Sequence, residues 1–73
     1  MPKPPVLKPL EMIRILKKLG FIESRQKGSH KRFQHFDGRS CTVPVHKGRD
    51  LSPGVIRQIA SQLGLTVDEL VAG

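Results

Sequence analysis

The chain has 73 residues, with 13 Lys or Arg against 6 Asp or Glu, which gives a formal net charge of +7. A chain of this length holds one domain and buries only about 60% of its unfolded surface, which excludes a deep active site and favours a shallow groove. Hydrophobic residues make up 37% of the sequence, enough for a folded domain rather than a disordered segment.

The sequence shows no pattern for an internal disulfide, a zinc site or a transmembrane helix. The single cysteine, Cys41, cannot form an internal disulfide, and no CxxC or Cys/His spacing typical of zinc sites occurs. No apolar run approaches the roughly 18 residues of a transmembrane helix, and the first residues lack a signal-peptide pattern. We therefore expect a soluble, cytoplasmic protein without a metal, a small-molecule cofactor or a membrane partner.

The N-terminal residues predict a tail followed by a helix. Residues 1–8, MPKPPVLK, contain three prolines that cannot donate main-chain hydrogen bonds, so we expect a flexible tail there, with a proline-recognition ligand as the alternative. A single domain is predicted over residues 9–73. Pro9 suits the first turn of a helix and Gly20 suits its end. Apolar side chains recur between them at three- and four-residue spacing, which predicts an amphipathic helix at about residues 9–19.

The middle of the chain predicts an antiparallel meander. Its three strands are expected at about residues 21–26, 30–36 and 40–45. A Lys27-Gly28-Ser29 turn joins the first two strands, and Asp37-Gly38 is a strong hairpin signal between the second and the third. Alternation along these strands predicts one apolar face against the helices and one polar face left open.

Strand parity assigns individual side chains to these faces. His30 and Arg32 of the second strand are expected on the open face together with Thr42, and Arg25 is a further candidate for it. Phe33 and His35 point towards the helices. In the third strand an alternating apolar set takes the helix side: Cys41, Val43 and Val45. Pro44 removes one ladder donor, so this strand is expected at an edge or to end there.

Two more helices are predicted after a basic loop at residues 46–50. Ser52 is a candidate N-cap with Pro53 at the first helical position, and an apolar stripe continues to Leu63. Thr66 and Glu69 have the spacing of a capping box that opens a short final helix. The element order predicts an α+β domain in which a three-stranded antiparallel sheet carries helices on one face.

Positive charge is concentrated in residues 25–49, which we call the basic segment. It holds all three histidines, seven of the thirteen Lys and Arg residues, and one acid, Asp37. A concentrated cationic surface indicates a polyanionic partner, although excess Lys and Arg also serve solubility alone. The sequence has three phenylalanines and no Trp or Tyr, and Phe36 is the only plausible base-stacking platform. RNA binding should therefore depend on phosphate contacts and on helix shape.

His30 is the sharpest candidate for chemistry. Cleavage of RNA by the neighbouring 2′-hydroxyl needs a base, an acid and cations around the phosphate, and histidine serves in either proton role near neutral pH. A lone strand histidine is more often structural or simply exposed. His46 is the second candidate, against an ordinary role as a loop histidine, and His35 is expected to be packed. The surrounding cations would supply electrostatic stabilisation: Lys27, Lys31, Arg32 and Lys47.

A family resemblance rests on four stretches in order: LKKLGF, RQKGSHKRFQH, DGRSCTVPVHKGRDL and PGVIRQI. Together these stretches resemble the HicA family of toxins over about residues 8–70. The pairing of GSH at residues 28–30 with VPVH at residues 43–46 is far more selective than either fragment alone. Two features depart from the family pattern, the proline-rich N-terminal extension and Cys41 in the third strand, and neither touches these motifs.

The resemblance implies a fold similar to a double-stranded-RNA-binding domain, in the order α-β-β-β-α. It also implies an mRNA-cleaving ribonuclease of a type II toxin–antitoxin pair, with His30 as the catalytic histidine and a HicB antitoxin as the neutralising partner. We expect RNA contacts from residues on either side of the two motifs: Lys27, Gly28, Ser29, Lys31, Arg32, His46, Lys47 and Arg49. The competing hypothesis is a non-catalytic RNA-binding module that blocks translation by occupancy.

Overall fold

Six elements follow one another along residues 6–72, which are the residues that this computed structural model describes. In chain order they are α1 (Pro9–Lys18), β1 (Ile22–Lys27), β2 (His30–Gln34), β3 (Ser40–Pro44), α2 (Pro53–Gln62) and α3 (Val67–Ala72). The strands form one antiparallel sheet in the order β1-β2-β3. The predicted α+β arrangement is confirmed, because each predicted element is present within one or two residues of its expected bounds.

The predicted flexible tail, residues 1–8, lies mostly outside the described part of the chain. Of its last residues, Leu7 forms an isolated antiparallel bridge with Leu51, whose N–H donates to the Leu7 carbonyl oxygen at 2.7 Å. This bridge ties the entry of α1 to the loop that precedes α2. No helix within residues 6–72 is long and apolar enough to cross a bilayer.

The core lies between one face of the sheet and the two long helices. Phe33 of β2 is fully buried, and Cys41 and Val43 of β3 are buried beside it. The helices cover them with a set of apolar side chains: Met12, Ile13, Leu16, Ile56, Ile59 and Ala60. Strand alternation therefore predicted the buried face correctly. The opposite face of the sheet is open.

Both predicted helix caps after the sheet are present. The Ser52 hydroxyl accepts a hydrogen bond from the Val55 N–H at 3.2 Å, which caps α2. At α3, the Thr66 hydroxyl accepts from the Glu69 N–H at 3.1 Å while the Glu69 carboxylate accepts from the Thr66 N–H at 2.9 Å. These caps fix where α2 and α3 begin.

The two hairpins differ in their turns. Gly28 and Ser29 form a two-residue turn between β1 and β2, with Gly28 at a φ of 60°, a left-handed conformation that glycine adopts without steric cost. The second turn is longer than the two-residue hairpin that Asp37-Gly38 most often makes. His35 pairs with Arg39 through an N–H to carbonyl bond of 2.8 Å, leaving three residues in the loop, and Gly38 at its end has a φ of 97°.

A β-bulge at Ser24 changes which side chains of β1 share a face. Glu23 is paired with Phe33, whereas Arg25 is paired with Arg32, so the register shifts by one residue between them. The Ser24 hydroxyl donates to the Arg32 carbonyl oxygen at 3.3 Å. A one-residue shift sends every later side chain of a strand to the opposite face. The bulge therefore moves the second half of β1 onto the open face of the sheet.

Candidate nucleic-acid interface

Two rows of paired residues cross the open face of the sheet. The first row pairs Lys27 with His30, and His30 with Pro44. The second row pairs Arg25 with Arg32, and Arg32 with Thr42. All of these residues except Pro44 line a shallow cavity of about 240 Å³: Arg25, Lys27, His30, Arg32 and Thr42. We call it the cationic cavity. It is the open groove that the chain's small size led us to expect.

The cationic cavity has no acidic residue in its lining. Among residues 6–72, the salt bridges are Lys31–Glu23, His35–Asp37 and Arg39–Asp37, so none of them neutralises a cavity cation. Arg25 and Arg32 lie directly opposite each other on neighbouring strands, and like charges so placed repel. A bound phosphate removes that repulsion. The electrostatics of the face therefore favour an anionic ligand.

His46 lies beside His30, outside the lining of this cavity. Their ring centroids are 6.2 Å apart and the rings are nearly perpendicular, at 83°. Both residues are exposed. The backbone sets this geometry, because the Val45 N–H donates to the Ser29 carbonyl oxygen at 2.6 Å and so ties together the residues that precede the two histidines. The sequence singled out their two motifs together, but it did not place the two rings beside each other.

A second depression joins His30 to helix α2. It has a volume of about 210 Å³, and the side chains of Thr42 and Pro44 form its sheet side with His30. Gln58 and Gln62, one turn apart on the exposed side of α2, supply its polar groups. Sequence reasoning missed these glutamines. Their four-residue spacing places them on one face of α2, but nothing local to the helix indicates that this face borders His30.

The Gly28-Ser29 turn contributes backbone to the site. Gly28 is exposed, and its carbonyl oxygen accepts a hydrogen bond from the Gln26 amide at 3.3 Å. Ser29 is half-buried and supplies the carbonyl that holds Val45. The two residues therefore shape the end of the hairpin on which His30 begins.

The remaining predicted RNA contacts lie apart from the cationic cavity. Lys31 points to the opposite face of β2, with its ammonium 3.8 Å from the Glu23 carboxylate. Lys47 and Arg49 lie in the exposed loop after His46 and, together with Lys8 at the start of α1, line a separate depression. The structure thus brings Lys27 and Arg32 to His30. Lys47 and Arg49 continue the basic surface in the loop after β3, whereas Lys31 lies apart from the cationic cavity and from this loop.

His35 is packed, as strand parity predicted. Its ring centroid lies 4.9 Å from that of Phe21 and 4.5 Å from that of Phe36. Its Nδ1 atom lies 3.0 Å from the nearer Asp37 carboxylate oxygen. Phe36 itself is 96% exposed, at the hairpin tip rather than at the cationic cavity. His35 therefore supports the turn and lies away from the other two histidines.

Among residues 6–72, three groups outside the cavity have shifted pKa values: Asp37, Cys41 and Glu69. The Thr66 N–H, which donates to the Glu69 carboxylate at 2.9 Å, lowers the pKa of Glu69. The Arg39 N–H, which donates to the Asp37 carboxylate at 3.0 Å, lowers the pKa of Asp37, and the Arg39 guanidinium acts in the same direction. Burial raises the pKa of the Cys41 thiol to about 11. Cys41 is thus a protonated core side chain, as its place in the alternation indicated. Within residues 6–72, no cluster of three or more His, Cys, Asp or Glu side chains is placed to hold a metal ion.

The fold and the open cationic face define a small α+β protein with the α-β-β-β-α arrangement of a double-stranded-RNA-binding domain. The family model described as the HicA toxin of bacterial toxin–antitoxin systems matches residues 11–65, well over half of the chain. The chain belongs to the HicA toxin family. The matched range includes both histidine motifs and the whole sheet. No curated protein matches the chain closely enough to count as a relative.

Proposed function

We propose that this toxin is an endoribonuclease that cleaves mRNA, with His30 as a general acid or base. The observation that carries the proposal is the position of His30 in a cavity lined by Arg25, Lys27 and Arg32 and by no acid. Those cations attract the phosphate backbone, and His30 is the residue among them whose type commonly serves as a general acid or base. Membership of a toxin family supports an activity against a cellular target.

The proposed reaction uses the 2′-hydroxyl of RNA as the nucleophile. Its oxygen attacks the neighbouring phosphorus, a proton leaves that oxygen, and the bond to the 5′-oxygen of the next nucleotide breaks. His30 moves one of the protons in this sequence, which contributes roughly 10²- to 10⁴-fold in rate. Arg25, Lys27 and Arg32 stabilise the negative charge that builds up on the phosphorus oxygens. DNA lacks the nucleophile and is not cleaved by this route.

RNA binding is proposed to begin at the cationic cavity and to continue along the loop after β3. Lys27 and Arg32 hold the phosphate at His30, while the Gly28-Ser29 turn shapes the end of the groove. His46 contacts the RNA beside His30, and Lys47 and Arg49 extend the contact to neighbouring phosphates, since all three residues are exposed. Lys31 contributes less than the sequence suggested, because its ammonium faces Glu23 on the other side of the sheet.

A toxin of a toxin–antitoxin pair needs a neutralising partner, and we propose a HicB-type antitoxin in the cytoplasm. The cationic cavity is the natural place for it to bind, because a surface that attracts phosphate also attracts a partner of complementary charge. Covering this face blocks RNA access and shields His30 at once. Loss of toxin–antitoxin affinity on neutralising Arg25 and Arg32 together checks this part of the proposal.

The decisive experiment compares wild type with His30→Ala on labelled mRNA in the presence of EDTA. Affinity is measured separately on 2′-O-methyl RNA, which cannot supply the nucleophile. We expect the variant to lose cleavage by at least 100-fold while keeping its affinity within a few-fold. His30→Gln, which keeps a polar side chain of similar reach, serves as the matched variant and should be equally inactive.

The same experiment can reject the proposal. If antitoxin-free wild-type protein binds RNA and leaves it intact, the protein is a binding module that acts by occupancy. If His30→Ala cleaves as fast as wild type, the nuclease is real but His30 is not its acid or base. Thermal melting of both variants distinguishes either result from simple unfolding.

A further inference from the structure

Transfer of a phosphodiester to a 2′-hydroxyl involves two proton transfers at two different oxygens. The attacking 2′-oxygen loses its proton to a base as the new O–P bond forms. The departing 5′-oxygen gains a proton from an acid as its P–O bond breaks. The products are a 2′,3′-cyclic phosphate and a 5′-hydroxyl. At the end of the step the base carries the proton of the 2′-hydroxyl, and the acid has given its proton to the 5′-oxygen. One histidine cannot serve both oxygens in a single step.

We propose that His46 is the second catalytic residue, acting with His30 as an acid–base pair on one phosphodiester. This inference rests on the proposed nuclease function. It assigns to His46 the proton transfer that His30 does not carry out. The ring centroids are 6.2 Å apart. This separation is too long for a hydrogen bond between the rings and short enough for one phosphate group to touch both. Both rings are exposed, so RNA reaches them without a conformational change.

The other side chains around His30 are poor candidates for the second proton transfer. Arg25, Lys27 and Arg32 belong to types that ordinarily stay protonated at neutral pH, and Thr42 carries a hydroxyl that is a weak acid and a weak base. Asp50, four residues after His46, lines two depressions together with His46 but neither of the two cavities that His30 lines. His46 also lies outside those two cavities, and what distinguishes it is its ring, whose centroid is 6.2 Å from that of His30. Among the described residues, His46 is left as the suitable group.

The position of His46 is built into the backbone. Pro44, paired with His30 across the sheet, has its φ fixed by its ring, and the next residue is tied to Ser29 by the 2.6 Å hydrogen bond. On the other side, the His46 carbonyl oxygen accepts from the Arg49 N–H at 3.1 Å, which closes the loop in a turn. These bonds hold the backbone on both sides of His46, so its side chain starts from a fixed point beside His30, as a reaction that depends on orientation requires.

A structural role is the rival explanation. Two aromatic rings at this distance and angle form an ordinary edge-to-face contact. His46→Phe separates the two explanations, because it keeps the aromatic contact and removes the titratable nitrogens. A packing role predicts that His46→Phe keeps the activity of wild type and that His46→Ala loses stability. A catalytic role predicts that both variants melt near wild type and are slow.

The test measures single-turnover cleavage of a short RNA whose scissile site has first been mapped with wild type. A second substrate carries sulfur in place of the bridging 5′-oxygen at that site, and thiolate departs without a proton. We expect His30→Ala and His46→Phe each to lose roughly 10²- to 10⁴-fold on ordinary RNA. On the sulfur substrate, the variant that lacks the acid should recover to within about tenfold of wild type. The variant that lacks the base should stay slow.

The outcomes separate this inference from the proposed function. Recovery of one histidine variant and not the other supports the pair and shows which ring is the acid. Recovery of both or of neither overturns it. If wild type cleaves and His46→Phe cleaves within threefold of it, the inference fails while the role of His30 stands. A loss confined to affinity for 2′-O-methyl RNA makes His46 a binding residue and overturns the pair, whereas no cleavage by wild type removes the proposed function itself.

Discussion

The backbone N–H of Val45 donates to the carbonyl oxygen of Ser29 at 2.6 Å, and each of these residues directly precedes a histidine. This bond closes the open end of the β2–β3 hairpin, just beyond the paired residues His30 and Pro44. It therefore converts two motifs that are 16 positions apart in the sequence into one site with adjacent imidazole rings. The effects of substitutions around this site follow from the same backbone geometry.

The cationic cavity should control the salt dependence of RNA binding. Each phosphate contact with a single strand contributes about 0.7 to the slope of log affinity against log salt concentration. We expect Arg32→Gln to reduce the slope by about that amount, and Lys31→Gln, on the opposite face beside Glu23, to reduce it less. Lys17, which is exposed on α1, provides the charge-matched control, and Lys17→Gln should leave the slope unchanged. Equal effects of all three substitutions would mean that charge alone, and not this face, holds the RNA.

Gly28 is expected to be required for its backbone conformation. Its φ of 60° is disfavoured for residues with a side chain, although the space around it is open. Gly28→Ala should therefore destabilise the fold by about 1–2 kcal/mol. Gly28→Asn should cost less, since asparagine tolerates the left-handed region. Urea unfolding measures both values. If the two variants are equally stable but equally inactive, the close approach of a phosphate, rather than the turn, requires glycine.

Arg39 should stabilise the fold through the second hairpin. Its guanidinium donates to the Leu63 carbonyl oxygen at the end of α2 and to the Asp37 carboxylate, both at 2.8 Å. Its charged end also lies 5.5 Å from the centre of the Phe21 ring. Removing these contacts with Arg39→Ala should destabilise the fold by about 1–3 kcal/mol. For a domain of this size each kcal/mol lowers Tm by roughly 4–8 °C.

Calorimetry with Arg57→Ala as the control completes that prediction. Arg57 is exposed on α2 and makes no salt bridge among residues 6–72. Its replacement should change Tm by no more than about 4 °C, because surface substitutions of this kind usually cost less than 0.5 kcal/mol. An equal decrease in both variants would show that loss of charge, rather than the bond to Leu63, is responsible.

The thiol of Cys41 should make stability fall at alkaline pH. Burial raises the pKa of this thiol to about 11, above that of an exposed cysteine. A group whose pKa is higher in the folded state stabilises the fold fully below its unfolded pKa, and that contribution disappears as pH rises through the folded value. We expect the free energy of unfolding to decrease between about pH 9 and pH 11. The decrease should be smaller in Cys41→Ala.

The difference between wild type and Cys41→Ala isolates the thiol, because every other titratable group is present in both proteins. Alkylation gives an independent readout. At pH 8 the folded protein should react with iodoacetamide far more slowly than the urea-unfolded chain, since thiolate is the reactive form and the side chain is only 3% exposed. Rapid alkylation of the folded protein would contradict both the burial and the raised pKa.

The sequence determined the local structure of this protein. The helix caps at Ser52 and Thr66, the glycine at the first turn and the burial of Phe33 all depend on residues within a few positions of one another. Hydrophobic periodicity and capping act over such short ranges, so they can be read without coordinates. The family resemblance added the role expected of His30, which no local rule supplies.

The composition of the site was decided by the tertiary structure. Strict alternation from buried Phe21 would have placed Arg25 and Lys27 against the helices, and only the bulge at Ser24 brings them to His30. The contact between the rings of His30 and His46 likewise depends on the register of β2 against β3, which no short stretch of sequence specifies. Register is set by the best simultaneous fit of all three strands to the core. The sequence therefore showed which residues carry the charge, and the sheet decided which of them meet.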